Sequence, residues 1–142
     1  MPKRVSVAEA EELVREGYVL VDVRTVVEFE AGHPKGAFNV PVALIEARGQ
    51  VLNEAFTEVI ERHFGKDEKL VLTCQAGRRS LDALRLLETR GFTQLIDLRP
   101  GWGGLKDAFG GVLEKGWEAS GLPGETGDGG ERSYAKLKGE ER

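Results

Sequence analysis

The chain has 142 residues, of which 40% are hydrophobic and 31% charged, with a formal net charge of −4. That length specifies one domain able to bury a proper core, and the acidic balance excludes a general attraction to nucleic acid or to an anionic membrane surface. A single cysteine excludes an intramolecular disulfide and a multi-cysteine metal site; neither His33 nor His63 stands at ligand spacing from Cys74, so no metal centre is expected. The apolar runs are too short to cross a bilayer, and Met1-Pro2-Lys3-Arg4 does not open a signal peptide, so a cytoplasmic location is expected.

In chain order, Ser6-Val7-Ala8-Glu9 has the form of a capping box, and Val7, Ala10, Leu13 and Val14 then recur at helical spacing until Gly17. Tyr18 to Val23 is an apolar, β-branched run suited to a strand buried on both faces. Phe38 to Pro41 reads as a short strand stopped by proline. Asn53 can cap a helix from Glu54 to about Phe64, closed by Gly65. Lys69 to Thr73 predicts a central buried strand; after the segment Cys74 to Arg79 a helix runs to about Arg90, with Leu81, Leu84 and Leu87 on one face. Leu95 to Leu98 is the last clear strand, and Pro100 to Gly121 is expected to hold one or two short helices. Strands alternating with amphipathic helices point to a parallel α/β sheet. From Pro123 the composition shifts, with five glycines in the last 20 residues. The expected organisation is a domain over residues 1–122 and a flexible, charged, Gly-rich tail over 123–142, with a weak helix near Tyr134 to Lys138.

The chemistry concentrates in Cys74-Gln75-Ala76-Gly77-Arg78-Arg79-Ser80. Ligands of open α/β sheets bind beyond the carboxyl ends of the strands, where this segment stands. The helix that follows presents unpaired N–H groups and the positive end of its dipole. Gly77 lets the backbone turn so that successive N–H groups form a nest around the sulfur. Arg78 and Arg79 add positive charge. Together these favour a thiolate over a thiol, and the same donors would hold a persulfide anion formed by attack on a sulfane sulfur.

These residues resemble the rhodanese family over roughly Val5 to Pro123. The loop Cys-x-x-Gly-x-Arg-Ser at Cys74 to Ser80 is similar to the family's active-site pattern. Leu20 to Arg24, Glu28-Phe29 and Gly32 to Pro41 are similar to its first signature, while Gly91-Phe92 and Trp117 to Pro123 resemble its closing segments. The resemblance implies a three-layer fold with a central, about five-stranded parallel sheet flanked by helices. It also implies Cys74 as sulfur acceptor, the backbone of Gln75 to Arg79 as cradle, Arg79 as a support of its shape, and no cofactor. Asp22 and Arg24 would then lie near the loop, as a structural ion pair or a second layer around the site, with Glu28 and His33 as fold-holding contacts. Departures are Gln75 where the family often has a basic residue, Pro34 after Gly-His, and a longer Arg99 to Gly116 region. Trp102 and Trp117 read as core or rim packing.

The function so implied is transfer of sulfur from thiosulfate or a similar small anion, through a Cys74 persulfide, to a thiol or a sulfur-carrier protein. With no second cysteine, the acceptor must be external. Two alternatives stand beside it. A cysteine-dependent phosphatase or arsenate reductase would carry five residues between cysteine and arginine, whereas four separate Cys74 from Arg79. A non-catalytic interaction module would use the fold only to present a surface.

Overall fold

The computed structural model describes residues 2–139. In chain order they form β1 (Arg4–Val5), α1 (Val7–Arg15), β2 (Val19–Asp22), α2 (Val26–Ala31), β3 (His33–Pro34), β4 (Phe38–Asn39), β5 (Ala43–Glu46), β6 (Gly49–Leu52) and α3 (Phe56–His63). Then follow β7 (Leu70–Thr73), α4 (Arg79–Thr89), β8 (Leu95–Leu98), β9 (Leu105–Lys106), β10 (Val112–Glu114), β11 (Gly124–Glu125), a 3₁₀ turn at Gly130–Arg132 and α5 (Tyr134–Leu137).

Five strands make the central sheet in the order β1-β8-β7-β2-β4, and every pairing in it is parallel. The strand periodicity divides the core. Leu70 and Leu72 of β7 pack with Phe56, Ile60, Leu84 and Leu87 of α3 and α4. Val71, between them, packs on the opposite face with Val7 and Ala10 of α1, Phe29 of α2 and Trp117. Successive side chains of a strand point to opposite faces, so an uninterrupted apolar run must be covered on both. The result is the expected three layers, helix, sheet and helix.

Several local features differ from expectation, each for a visible reason. Asn53 does not cap α3. Its Nδ2 donates to the Pro41 carbonyl and the Tyr134 hydroxyl, its Oδ1 accepts from the Ala55 N–H, and the helix starts at Phe56. Helix α2 has a full capping box between Thr25 and Glu28 that went unread because its six residues give too little periodicity. The stretch Pro100 to Gly121 forms turns and the antiparallel β9–β10 pair in place of short helices. Asp107 decides this: its carboxylate accepts from the N–H groups of Phe109 and Gly111, tying a tight turn at Gly110.

The segment from Pro123, expected as a flexible tail, packs on the domain as far as it is described. Strand β11 pairs antiparallel with β3, with Gly124 opposite Pro34 and Glu125 opposite His33. Tyr134 and Leu137 are buried in the α3–α4 side of the core, and Ser133 caps their helix. Two apolar side chains at helical spacing are enough for one short face, although a composition window dominated by glycine and charge obscures them. Residues 140–142 of the expected tail, and Met1, lie outside the described residues.

Candidate active site

A parallel sheet brings its strand ends to one edge, and register does the rest: Asp22 of β2 pairs with Thr73 of β7 and with Asn39 of β4. Cys74 therefore leaves β7 beside Arg24 and the end of β8. Its residue is 1% exposed.

The turn after it depends on Gly77, whose φ of +82° is left-handed and whose hydrogen faces the Arg99 carbonyl oxygen with no room for a Cβ. In this conformation the Gly77 N–H donates to Cys74 Sγ at 3.1 Å. Helix α4 starts two residues on, with no capping side chain from Arg78, so its first-turn N–H groups remain open at the loop. The loop is pinned from outside by main-chain bonds: Trp102 N–H to the Cys74 carbonyl at 2.8 Å and Gly103 N–H to the Gln75 carbonyl at 2.9 Å. Gly101 permits that approach, with a φ of +65° and its Cα against the Cys74 carbonyl.

The residues predicted from sequence separate into four groups. Gln75, Ala76 and Arg78 are exposed and form the rim. Arg79 turns away from the sulfur and is gripped by Glu28 through two bonds of 2.7 and 2.9 Å. Burial would raise the Glu28 carboxyl, but the Arg79 bonds and the Thr25 N–H outweigh it and hold the group at about 2. Ser80 is buried, behind the sulfur and not on the rim. The pair Asp22–Arg24 is buried and tightly bonded, and it does reach the loop: Arg24 Nη1 donates to Gln75 Oε1 at 3.2 Å and Nη2 to the Gly32 carbonyl at 2.6 Å. Burial pushes the Asp22 carboxyl up, opposed by Arg24. The Arg24 guanidinium also lies 5.5 Å from the centroid of the Trp102 ring, which packs against Gly32 and Gly124.

His33 sits outside this cluster. It stacks on Phe29 at 3.5 Å, with Nδ1 against the Phe29 carbonyl and Nε2 against Glu125, and so ties α2 to β11. His63 bonds the Leu137 carbonyl. Among the described residues no group of three or more His, Cys, Asp or Glu is arranged to hold a metal ion.

Two residues beside the sulfur went unread in the sequence. The Cys74 thiol donates to Ser80 Oγ at 3.3 Å, and the Ser80 hydroxyl donates to Asp97 Oδ1 at 2.5 Å. Arg4 Nε donates to the other Asp97 oxygen at 2.7 Å, and Arg4 Nη2 to the Gly77 carbonyl at 2.9 Å. A signal existed for Asp97, as the single charge within the apolar strand Leu95-Ile96-Asp97-Leu98. None existed for Arg4, which looks like any basic residue near a chain start.

A profile of the Rhodanese-like domain family matches residues 6–108. The chain belongs to the rhodanese-like domain family. Among its relatives is thiosulfate sulfurtransferase 16, chloroplastic, of Arabidopsis thaliana, 38% identical over 123 residues that cover 87% of this chain and 92% of that protein. Senescence-associated protein DIN1 of Raphanus sativus is 40% identical over 102 residues, 72% of this chain, which spans only 56% of that relative's length. The crystal structure of Rv0390 from M. tuberculosis superposes on this rhodanese-like fold with a TM-score of 0.74 at 26% identity, covering 88% of this chain and 98% of that one. Such relatives support a sulfurtransferase enzyme. They lend no support to the cytoplasmic location expected from the sequence, since the Arabidopsis relative is named as chloroplastic. No helix among the described residues is long and apolar enough to cross a membrane.

Proposed function

We propose that this rhodanese-like domain transfers a sulfane sulfur through a persulfide on Cys74, with thiosulfate or a similar small anion as donor. The observation that carries this reading is the sulfur's position, at the carboxyl end of β7, under the Gly77 N–H and at the N-terminus of α4. Cys74 Sγ attacks the outer sulfur of thiosulfate as a thiolate. The donor's S–S bond breaks with its electron pair leaving on sulfite, and the negative charge moves to the outer sulfur of Cys74–S–S⁻. That charge falls where main-chain donors and the helix dipole are already oriented, so little reorganisation opposes it. A donor first meets the exposed rim of Gln75, Ala76 and Arg78.

Discharge requires an external acceptor, because the chain contains no second cysteine. An acceptor thiolate, on a small molecule or a sulfur-carrier protein, attacks the outer sulfur and Cys74 leaves as thiolate. Neither a metal nor a cofactor enters this scheme. Phosphatase chemistry is disfavoured by Arg79, whose two donor groups are engaged by Glu28 and so do not present a free fork to phosphate oxygens.

The test is intact mass measured before and after incubation with thiosulfate, with Cys74→Ser as control. A gain of one sulfur, reversed by cyanide and absent from the variant, is the expected result. No adduct with thiosulfate or any other sulfane donor would leave the fold as an interaction module.

A further inference from the structure

The hydrogen bonds around Cys74 close into a ring. From Sγ the path runs to Ser80 Oγ, to Asp97, to Arg4, to the Gly77 carbonyl, and the Gly77 N–H returns to Sγ. Cys74, Ser80 and Asp97 are all buried, at 1%, 0% and 0% exposed. A sulfur held this far from solvent must lose its proton before it can act as a nucleophile. The ring offers that proton a path within the protein.

We propose that Ser80 and Asp97 form a proton relay for Cys74, in which Asp97 receives the thiol proton through the Ser80 hydroxyl and returns it when the sulfur has been passed on. This rests on the persulfide reading above and deepens it. The Cys74 S–H bond breaks as its proton joins Ser80 Oγ. The proton Ser80 already directs at Asp97 moves onto Oδ1. No electrons change hands: one proton leaves sulfur, one arrives on the carboxylate, and the net charge of the buried group is unchanged. The two bonds of the relay survive with their direction reversed, Asp97 donating to Ser80 and Ser80 to the thiolate, while the Gly77 and Arg4 donors keep their acceptors, so no buried donor is left unpaired.

The surroundings suit both states. Asp97 faces Arg4 from β1 and Ser80 from α4, with Arg99 just beyond the end of β8; burial pushes its carboxyl up, against the pull of those partners, and this makes it a better holder of a proton. The sulfur faces the Gly77 N–H and the start of α4, while Arg79 is held by Glu28. The Asp22–Arg24 pair reaches only Gln75 beside it. Thiol and carboxylate are therefore joined through a single hydroxyl. The reactive form is the one with a single proton between them. Ser80 touches the reacting sulfur, whereas Asp97 acts through Ser80 and is a positioning and proton-holding residue.

The experiment compares wild-type protein with Ser80→Ala, Ser80→Thr and Asp97→Asn, each first checked for an intact fold by circular dichroism and thermal melting. Two rates are followed between about pH 6 and pH 9: alkylation of Cys74 by iodoacetamide, which needs no sulfur chemistry, and persulfide formation with thiosulfate. The wild-type rates are expected to level off across neutral pH. In Ser80→Ala and Asp97→Asn both rates should fall about 10–100-fold at pH 7, within the usual reach of acid–base catalysis, and climb about tenfold per pH unit like a simple thiol. Ser80→Thr keeps the hydroxyl and should restore the wild-type profile. Should Asp97→Asn fail to fold without its Arg4 partner, the Ser80 pair decides alone. Wild-type pH profiles in Ser80→Ala would overturn the relay. A wild-type alkylation profile of the expected shape with no sulfur adduct would instead overturn the persulfide reading and leave the relay standing.

Discussion

Gly77 shows how much of the site depends on the absence of a single carbon. At its φ of +82° an L side chain is strained, and its Cβ would press on the Arg99 carbonyl. Gly77→Ala must move the loop or β8, and either movement takes the N–H away from Cys74 Sγ. Persulfide formation in Gly77→Ala should fall at least about tenfold, with stability lowered by about 1–3 kcal/mol, the usual range for backbone strain of this kind. Rapid-mixing mass spectrometry and urea titration measure the two; an unaltered transfer rate would mean that the Gly77 N–H does not support the sulfur. Of the residues at this scale, the cysteine and its glycine were legible in sequence because their chemistry and conformational freedom belong to the residue itself. Ser80 was legible as part of a pattern, but its orientation toward Asp97 was not. That contact joins positions 17 residues apart, and only folding brings them together.

At the scale of elements, Glu28 links α2 to α4. Its carboxylate serves the α2 capping box and also receives both Arg79 bonds. Its carboxyl is held at about 2 against an ordinary value of 4.5. A group whose folded value is depressed stabilises the fold above its unfolded value and loses that contribution as pH falls through the folded one. The pair is partly open to solvent, so the gain is discounted for screening to about 1 kcal/mol. Glu28→Gln should therefore be destabilised by about 1 kcal/mol at neutral pH, and the gap from wild type should close as the pH falls from 4.5 toward about 2. Urea titrations at several pH values test it; a gap that stays constant through that window would assign the role of Glu28 to packing. Elements with a full period were readable: α1, β2, β7, α4 and β8 stand within a residue or two of the predicted ranges. Of the two-residue strands, β4 was readable from the proline that stops it, whereas β1, β3, β9 and β11 were not, because they have neither an alternation nor such a stop and exist only through their partners.

For the whole molecule, the last described residues complete the core. Leu137 is buried among α3 and α4 side chains, and the Tyr134 hydroxyl accepts from Asn53 Nδ2. Removing the Leu137 side chain creates a cavity that a short terminal helix can only partly close. Leu137→Ala should lower stability by about 2 kcal/mol within a single cooperative transition. Tyr134→Phe should have the smaller effect, about 1 kcal/mol, because Asn53 Nδ2 retains the Pro41 carbonyl. Wild-type stability in Leu137→Ala, measured by the same urea titration, would mean that the segment contributes nothing to the core. The β9–β10 hairpin behaves differently. It leaves Phe109 97% exposed, and its length beyond the expected pattern is surface, not core.

By itself the sequence determined the class of fold, the family and the loop that carries the single cysteine. Each is written in local terms: apolar period, cap, turn residue, and a motif within seven consecutive positions. Tertiary structure decided the rest: that Arg79 belongs to Glu28, that Arg4 and Asp97 stand behind the sulfur, and that the last segment docks. The physical reason is common to all three. A charged or apolar side chain acquires its meaning from what it is buried against, and those partners lie 51, 93 and 81 positions away for Arg79, Arg4 and Tyr134.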